Sequence, residues 1–273
     1  MRIKKYKLVV VIVILLLSVS CAITATQPAP SSIPTTQPAP VQLSTATQAP
    51  TDTPEPTATP EPTATEEPTE TIAPTSTLLP EGVLFRDDFE GSLQPGWEWQ
   101  NENPDRWTIT EDGWLQIIGE AGSWMGLDEQ RNLLWYPSPA GDFVISVHLM
   151  TKPFENFHQA AIFIYEDEDN FVTINRGYCD ICFSKGNGFY MDYSIGGKRG
   201  TYQAPTTAED VYLRLASIDD MVSGYYATEE GQWIRLGRFG NYFQFQKVGI
   251  GVNNAGAEND VVGLYDYFEI AQP

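Results

Sequence analysis

Three groups of residues carry chemistry by their type and spacing. Asp87-Asp88-Phe89-Glu90 sets three carboxylates within four positions, the hard oxygen donors that Ca²⁺ takes at about 2.3–2.6 Å. Glu166-Asp167-Glu168-Asp169-Asn170 is a second acidic run. Its members are consecutive, which suits an exposed hairpin loop better than a chelate. Cys179-Asp180-Ile181-Cys182 has three chemical readings: a redox pair, half of a zinc site, or a local disulfide. A redox pair normally opens a helix, and zinc is poorly supplied because only His148 and His158 are present. A disulfide is expected, with free thiols as the alternative. It requires a turn at Asp180-Ile181, since cysteines three apart in an extended strand are too distant to bond.

Other reaction chemistries are absent from the sequence. No Gly-x-Ser-x-Gly elbow, His-Glu-x-x-His or phosphate-binding glycine loop occurs, and two histidines limit proton shuttling. With 36 acidic residues, some pair meets the carboxylate spacing of a glycosidase by chance, so hydrolysis ranks last among the functions weighed.

The elements that must position these groups are strands. From Glu81 to Pro273 there is no helical periodicity, only short alternating or wholly apolar runs. They are Trp114 to Ile118, Phe143 to Leu149, Ala160 to Tyr165, Phe171 to Ile174, Gly188 to Ile195, Val211 to Ile218, Gly224 to Ala227, Trp233 to Phe239, Lys247 to Val252 and Val261 to Ile270. Turn residues join them, as at Glu111-Asp112-Gly113 and Glu229 to Gly231. Strands at this spacing predict an all-β, two-sheet sandwich. All seven Trp lie here, and most, Trp97, Trp99 and Trp114 among them, are expected in the core.

The preceding residues have other roles. A basic start, Met1 to Lys7, leads into an apolar run from Leu8 to Leu17 and then Ser18-Val19-Ser20-Cys21. The run is about half the length that spans a bilayer, so residues 1–20 read as an export signal. The small residues before Cys21 resemble a bacterial lipobox, with Ser18 where leucine is usual. The resemblance implies lipidation of Cys21 and anchoring to a membrane, with the domain on its outer side. Residues 21–80 are rich in Thr, Pro, Ala, Ser, Gln and Glu, with the hexamer Thr53 to Ala58 repeated at Thr59 to Ala64. Such a segment buries too little apolar surface to fold. A disordered, semi-rigid stalk is expected, reaching over about 100 Å. The formal charge of −20 repels phosphate backbones and excludes nucleic acid as a partner.

A family resemblance runs from Phe85 to Ala271. It is carried by Asp87-Asp88-Phe89-Glu90, Pro95-Gly96-Trp97-Glu98-Trp99, Asp105-Arg106-Trp107-Thr108-Ile109, Gly113-Trp114-Leu115-Gln116-Ile117, Asn156-Phe157-His158-Gln159-Ala160, Gly224-Tyr225-Tyr226 and Asp266-Tyr267-Phe268-Glu269-Ile270. These resemble the concanavalin A-like domains found at the C-terminus of β-xylosidases and as separate bacterial modules. The resemblance implies a jelly-roll sandwich of two antiparallel sheets over residues 81–273, with first and last strands adjacent. It also implies a link to carbohydrate without implying catalysis.

Two site expectations depend on that fold. Adjacent terminal strands would bring Asp266 to Asp87, Asp88 and Glu90, a candidate structural Ca²⁺ site. Its alternative is a pair of solvated strand ends with Phe89 and Phe268 facing the core. On the sheet face, Gln159, Asn175, Arg176, Tyr178 and Tyr193 are candidates for an oligosaccharide or polysaccharide platform, rimmed by Arg106, Trp107 and Trp124. Rings would stack on sugar faces while polar groups reach the hydroxyls. The expected function is a tethered, non-catalytic, carbohydrate-binding module. A structural or protein-interaction domain of the cell envelope is the alternative, and a glycan-acting hydrolase comes third.

Overall fold

The computed structural model describes residues 79–122, 127–182 and 186–273. The export signal, Cys21, the stalk and Trp124 lie outside the described residues. Among the described residues fifteen strands follow in order. The first eight are β1 (Val83–Asp87), β2 (Glu98–Gln100), β3 (Trp107–Ile109), β4 (Leu115–Ile118), β5 (Leu133–Pro137), β6 (Phe143–Thr151), β7 (Gln159–Asp167) and β8 (Asn170–Cys179). Then come β9 (Gly186–Ile195), β10 (Lys198–Pro205), β11 (Asp210–Ile218), β12 (Met221–Ala227), β13 (Ile234–Gly240), β14 (Lys247–Asn253) and β15 (Val262–Ala271).

They form two antiparallel sheets. One runs β13-β12-β11-β6-β15-β4-β3, with β1 also on β15. The other runs β10-β9-β8-β7-β14-β5-β2. First and last strands pair, with Asp87 opposite Phe268, as the jelly-roll resemblance implies. Among the described residues no helix is long and apolar enough to cross a membrane.

Alternation explains the packing. In β6, Phe143, Ile145, Val147 and Leu149 are buried, while Val144 and His148 between them are not fully covered. Successive strand residues point to opposite faces, so one set enters the space between the sheets. There it meets Ala160, Ile162 and Ile164 of β7 and Val172 and Ile174 of β8. Each such side chain, fully buried, contributes about 1.5–3 kcal/mol.

Two polar devices tie this core. Asp87 is wholly buried, and its carboxylate accepts from the Phe89 and Gln94 amides and from Trp97 Nε1, each at 2.8 Å. Tyr265 of β15 crosses to the other sheet. Its hydroxyl lies 2.8 Å from Gly251 O and accepts from the Ala161 amide at 3.0 Å.

Candidate functional site

The face of the seven-stranded sheet turned away from the core carries the site. Register sets its rows. One row is Thr201, Asp192, Thr173 and Phe163, crossing from β10 to β7. The next is Gln203, Tyr190, Asn175 and Ala161. Beyond it Gly177 of β8 stands between Gly188 and Gln159. A Cβ on Gly177 would come within 2.8 Å of Asn175 Oδ1 and 2.9 Å of Gln159 Cγ, so glycine there keeps the floor open.

Half of this face is covered. Leu133, Trp135, Ala161, Phe163 and Phe171 form a second apolar cluster with Leu127, which opens a short 3₁₀ turn, Leu127–Glu129. Gln100 latches the turn down, donating from Nε2 to Leu127 O and accepting from Trp135 Nε1 at 2.9 Å. At the next residue the Asp128 amide donates to Glu168 Oε1 at 2.7 Å, which fastens the turn to the β7–β8 hairpin. The acidic run Glu166 to Asn170 thus serves as a hairpin tip and an anchor point.

The uncovered half is a cavity of about 420 Å³. Its walls are largely apolar: Phe157, Phe171, Tyr190 and the bonded pair Cys179–Cys182. The bond closes across a bend at Asp180-Ile181 with the two Cα atoms 5.4 Å apart. Phe157 holds the left-handed conformation, φ 67°, a strained geometry for an aromatic residue. Its ring is 37% exposed and also lines an adjoining depression together with Phe154, 49% exposed.

The floor is polar. Asp192 accepts from Asn175 Nδ2 at 3.1 Å and from the Thr201 hydroxyl. Desolvation outweighs both bonds and raises its pKa above the usual carboxylate value. On the same face, closed off from the cavity, Asn175 Oδ1, Thr173 Oγ1 and Ser194 Oγ are buried and form no hydrogen bond. Buried polar atoms are normally paired, so the layer next to the carboxylate is incompletely bonded.

The expected platform residues divide. Gln159 lines the cavity, and Asn175 lies on the same face but is fully buried. Arg176 is not on that face. It faces the core between the registers of Ala160 and Phe189, where it donates to Ala208 O, Gly177 O and Asn187 Oδ1. Burial lowers its pKa to about 10. Tyr193 turns its ring inward, 4.7 Å from Phe239 of the opposite sheet, and still contributes to the cavity lining. Tyr178 lies in an adjoining depression, its hydroxyl donating to Asp180. Arg106 and Trp107 are at the far edge of the other sheet. The guanidinium of Arg106 grips Asp260 at 2.5 and 3.0 Å, and Trp107 packs on Trp99 at 4.7 Å against the core. Trp124 lies outside the described residues.

The four expected Ca²⁺ ligands do not converge. Asp87 points inward with Phe268 and spends both oxygens on N–H donors. Asp88 pairs with Arg86 at 2.7 Å. Asp266 sits at a bulge in β15 and points outward to His148 Nδ1, 2.9 Å away. Glu90 is exposed past the end of β1. Phe89 and Phe268 are both in the core. Among the described residues no group of three or more His, Cys, Asp or Glu side chains is placed to hold an ion.

Sequence reasoning missed Asp192, Thr173, Thr201, Phe157, Phe171 and Tyr190. Their common signal is parity along the strands, since each strand residue of this set is an even number of positions from Asn175 in β8 or is joined to such a residue by direct pairing across β9 and β10.

This architecture, two antiparallel sheets of a jelly roll with terminal strands paired, is that of the concanavalin A-like class. The family model for the beta xylosidase C-terminal concanavalin A-like domain matches residues 86–269, and the chain belongs to that family. Similar solved structures include the GH43 BlXynB protein from Bacillus licheniformis, at TM-score 0.61 and 20% identity over 69% of this chain and 39% of that one. The xylan beta-1,4-xylosidase from Bacillus halodurans C-125 gives 0.57 and 20% over 75% and 41%. The beta-glucanase of Bacillus licheniformis gives 0.50 and 11% over 71% and 100%. The chain thus spans about two fifths of the length of those two GH43 proteins. No curated protein matches it.

Proposed function

We propose that the chain is a lipid-anchored, extracytoplasmic binding module that captures carbohydrate in the cavity over β8, β9 and β10. The observation that carries this reading is the lining: Gln159, Asp192, Thr201 and Gln203 offer hydrogen-bonding side chains to a visitor rich in hydroxyls. Aromatic side chains beside them supply the apolar surface on which sugar rings pack. The family's link to xylosidases points the same way. Asp192 is the one carboxylate among the described lining residues, and glycoside hydrolysis uses two, which supports capture over cleavage.

The test is a glycan array probed with the full chain, followed by titration of any hit. The expected result is a soluble oligosaccharide ligand whose affinity falls about three- to tenfold in Phe157→Ala, the value of one aromatic contact. A second reading, protein contact in the envelope, draws on the exposed aromatic pair Phe154 and Phe157. A blank array with the chain folded would reject the first reading and favour the second.

A further inference from the structure

A sheet face can receive a glycan in two ways: laid across many strands, or inserted by its end. We infer that this cavity takes the terminal one or two sugars of a neutral glycan, end-on. The inference rests on the carbohydrate reading above and specifies its ligand.

The first argument is lateral closure. A chain laid across the sheet would have to continue over β7, β14 and β5. That ground is taken by Phe163 and Trp135 under Leu127, with the Trp135 ring lying over Gly249. The covering turn is fastened on two sides, to Gln100 of β2 and to Glu168 of the β7–β8 hairpin, so it forms a wall of the site. Phe171 belongs both to that wall cluster and to the cavity lining, which marks the boundary between the two halves.

The second argument is size. About 420 Å³ lies in the lower part of the range for small-molecule sites, about 300–1,000 Å³. A mono- or disaccharide fills it, and a longer stretch does not.

The third argument is polarity. Terminal sugars carry hydroxyls that internal units spend in linkages. The cavity answers with the Asp192 carboxylate and the side chains of Thr201, Gln203 and Gln159, which are gathered on neighbouring strands instead of strung along a path. A hydroxyl placed there bonds a part-buried carboxylate, and such bonds discriminate strongly between ligands that have the hydroxyl and ligands that lack it.

Charge fixes the remaining choice. An acidic sugar would meet Asp192 and a chain of formal charge −20, while Arg199 at the cavity is drawn to Glu168.

The experiment is titration calorimetry of the full chain with xylo- and gluco-oligosaccharides from mono- to hexasaccharide. Two further hexasaccharides are included, one blocked at the reducing end and one at the other. End-on binding gives an affinity that changes less than about threefold beyond the disaccharide and a loss of about tenfold or more with one of the two blocks. It also leaves the same sugars carrying a uronic acid unit at that end without measurable binding. Affinity that keeps rising to the hexasaccharide, with both blocked forms binding as well as the free one, overturns end insertion but leaves carbohydrate capture standing. No binding by any member, with the chain folded by circular dichroism, overturns both.

Discussion

Replacing Asp192 with asparagine should make the domain more stable. The carboxylate is desolvated enough that its pKa is raised in spite of hydrogen bonds from Asn175 and Thr201. An amide at this position carries no charge to desolvate. Its carbonyl oxygen can still accept from Asn175 Nδ2, while its N–H₂ turns to the Thr201 hydroxyl oxygen, which can accept. Removing a desolvated charge while keeping both bonds is worth about 1–2 kcal/mol. For a domain of this size each kcal/mol moves Tm by about 2–4 °C, so a rise of about 3–6 °C is expected.

The pH dependence has a definite sign. A carboxyl whose folded pKa is raised contributes stability that is fully present below its unfolded value, about 3.9, and lost as pH rises through the folded value. The gap between Asp192→Asn and wild type should therefore be widest near neutrality and close on acidification. Thermal unfolding of both proteins at a neutral and an acidic pH measures it. A variant less stable than wild type at neutral pH, or a gap that ignores pH, would refute the argument. The same change should weaken glycan binding by about tenfold, because a charge-assisted bond is lost. Such opposition between stability and binding is what a site held incomplete for its ligand produces.

Other consequences follow from the buried polar ties. Asp87→Ala leaves three N–H groups without their acceptor and should cost about 3 kcal/mol or more by denaturant titration; a loss below about 1 kcal/mol would mean that water replaces the carboxylate. Tyr265→Phe strips the Ala161 amide and the Gly251 carbonyl of a partner. It should lower stability by about 1–3 kcal/mol while leaving glycan affinity unchanged. His158 is wholly buried; it accepts at Nδ1 from the Phe154 and Glu155 amides and donates from Nε2 to Asn259 O. Burial lowers its pKa, so its contribution is full above the unfolded value of about 6.5 and is lost as pH falls through the lowered folded value. Wild type should lose more stability than His158→Gln over that acid range, read by thermal unfolding.

The strands of the core were legible because their burial is periodic. Phe143 to Leu149 and Ala160 to Tyr165 announce themselves by apolar content alone. β10 did not: Lys198–Pro205 is an edge strand with much of its length exposed, so no apolar pattern marks it. The pairing of β1 with β15 entered through family resemblance, and no local rule would have supplied it. At the site, residue type misled where parity would have helped. Asn175 and Arg176 are neighbours in β8 and must face opposite ways, yet both have the chemistry of a sugar ligand. Only register showed that Asn175 shares a face with Asp192 while Arg176 shares one with the core. The Ca²⁺ expectation came from carboxylate density, which says nothing of direction. The bulge at Asp266 and the inward turn of Asp87 separate those oxygens to opposite faces of the sheet.

The central claim is that sugar is held on the floor between β8, β9 and β10. Amide NMR of the full chain during titration with a neutral xylo-oligosaccharide tests it most directly. The account predicts saturable shifts at Asn175, Asp192 and Thr201 and at the Phe157 rim, with the opposite sheet silent. Shifts confined to the aromatic residues around His148 on that opposite sheet, or none at all, would contradict it.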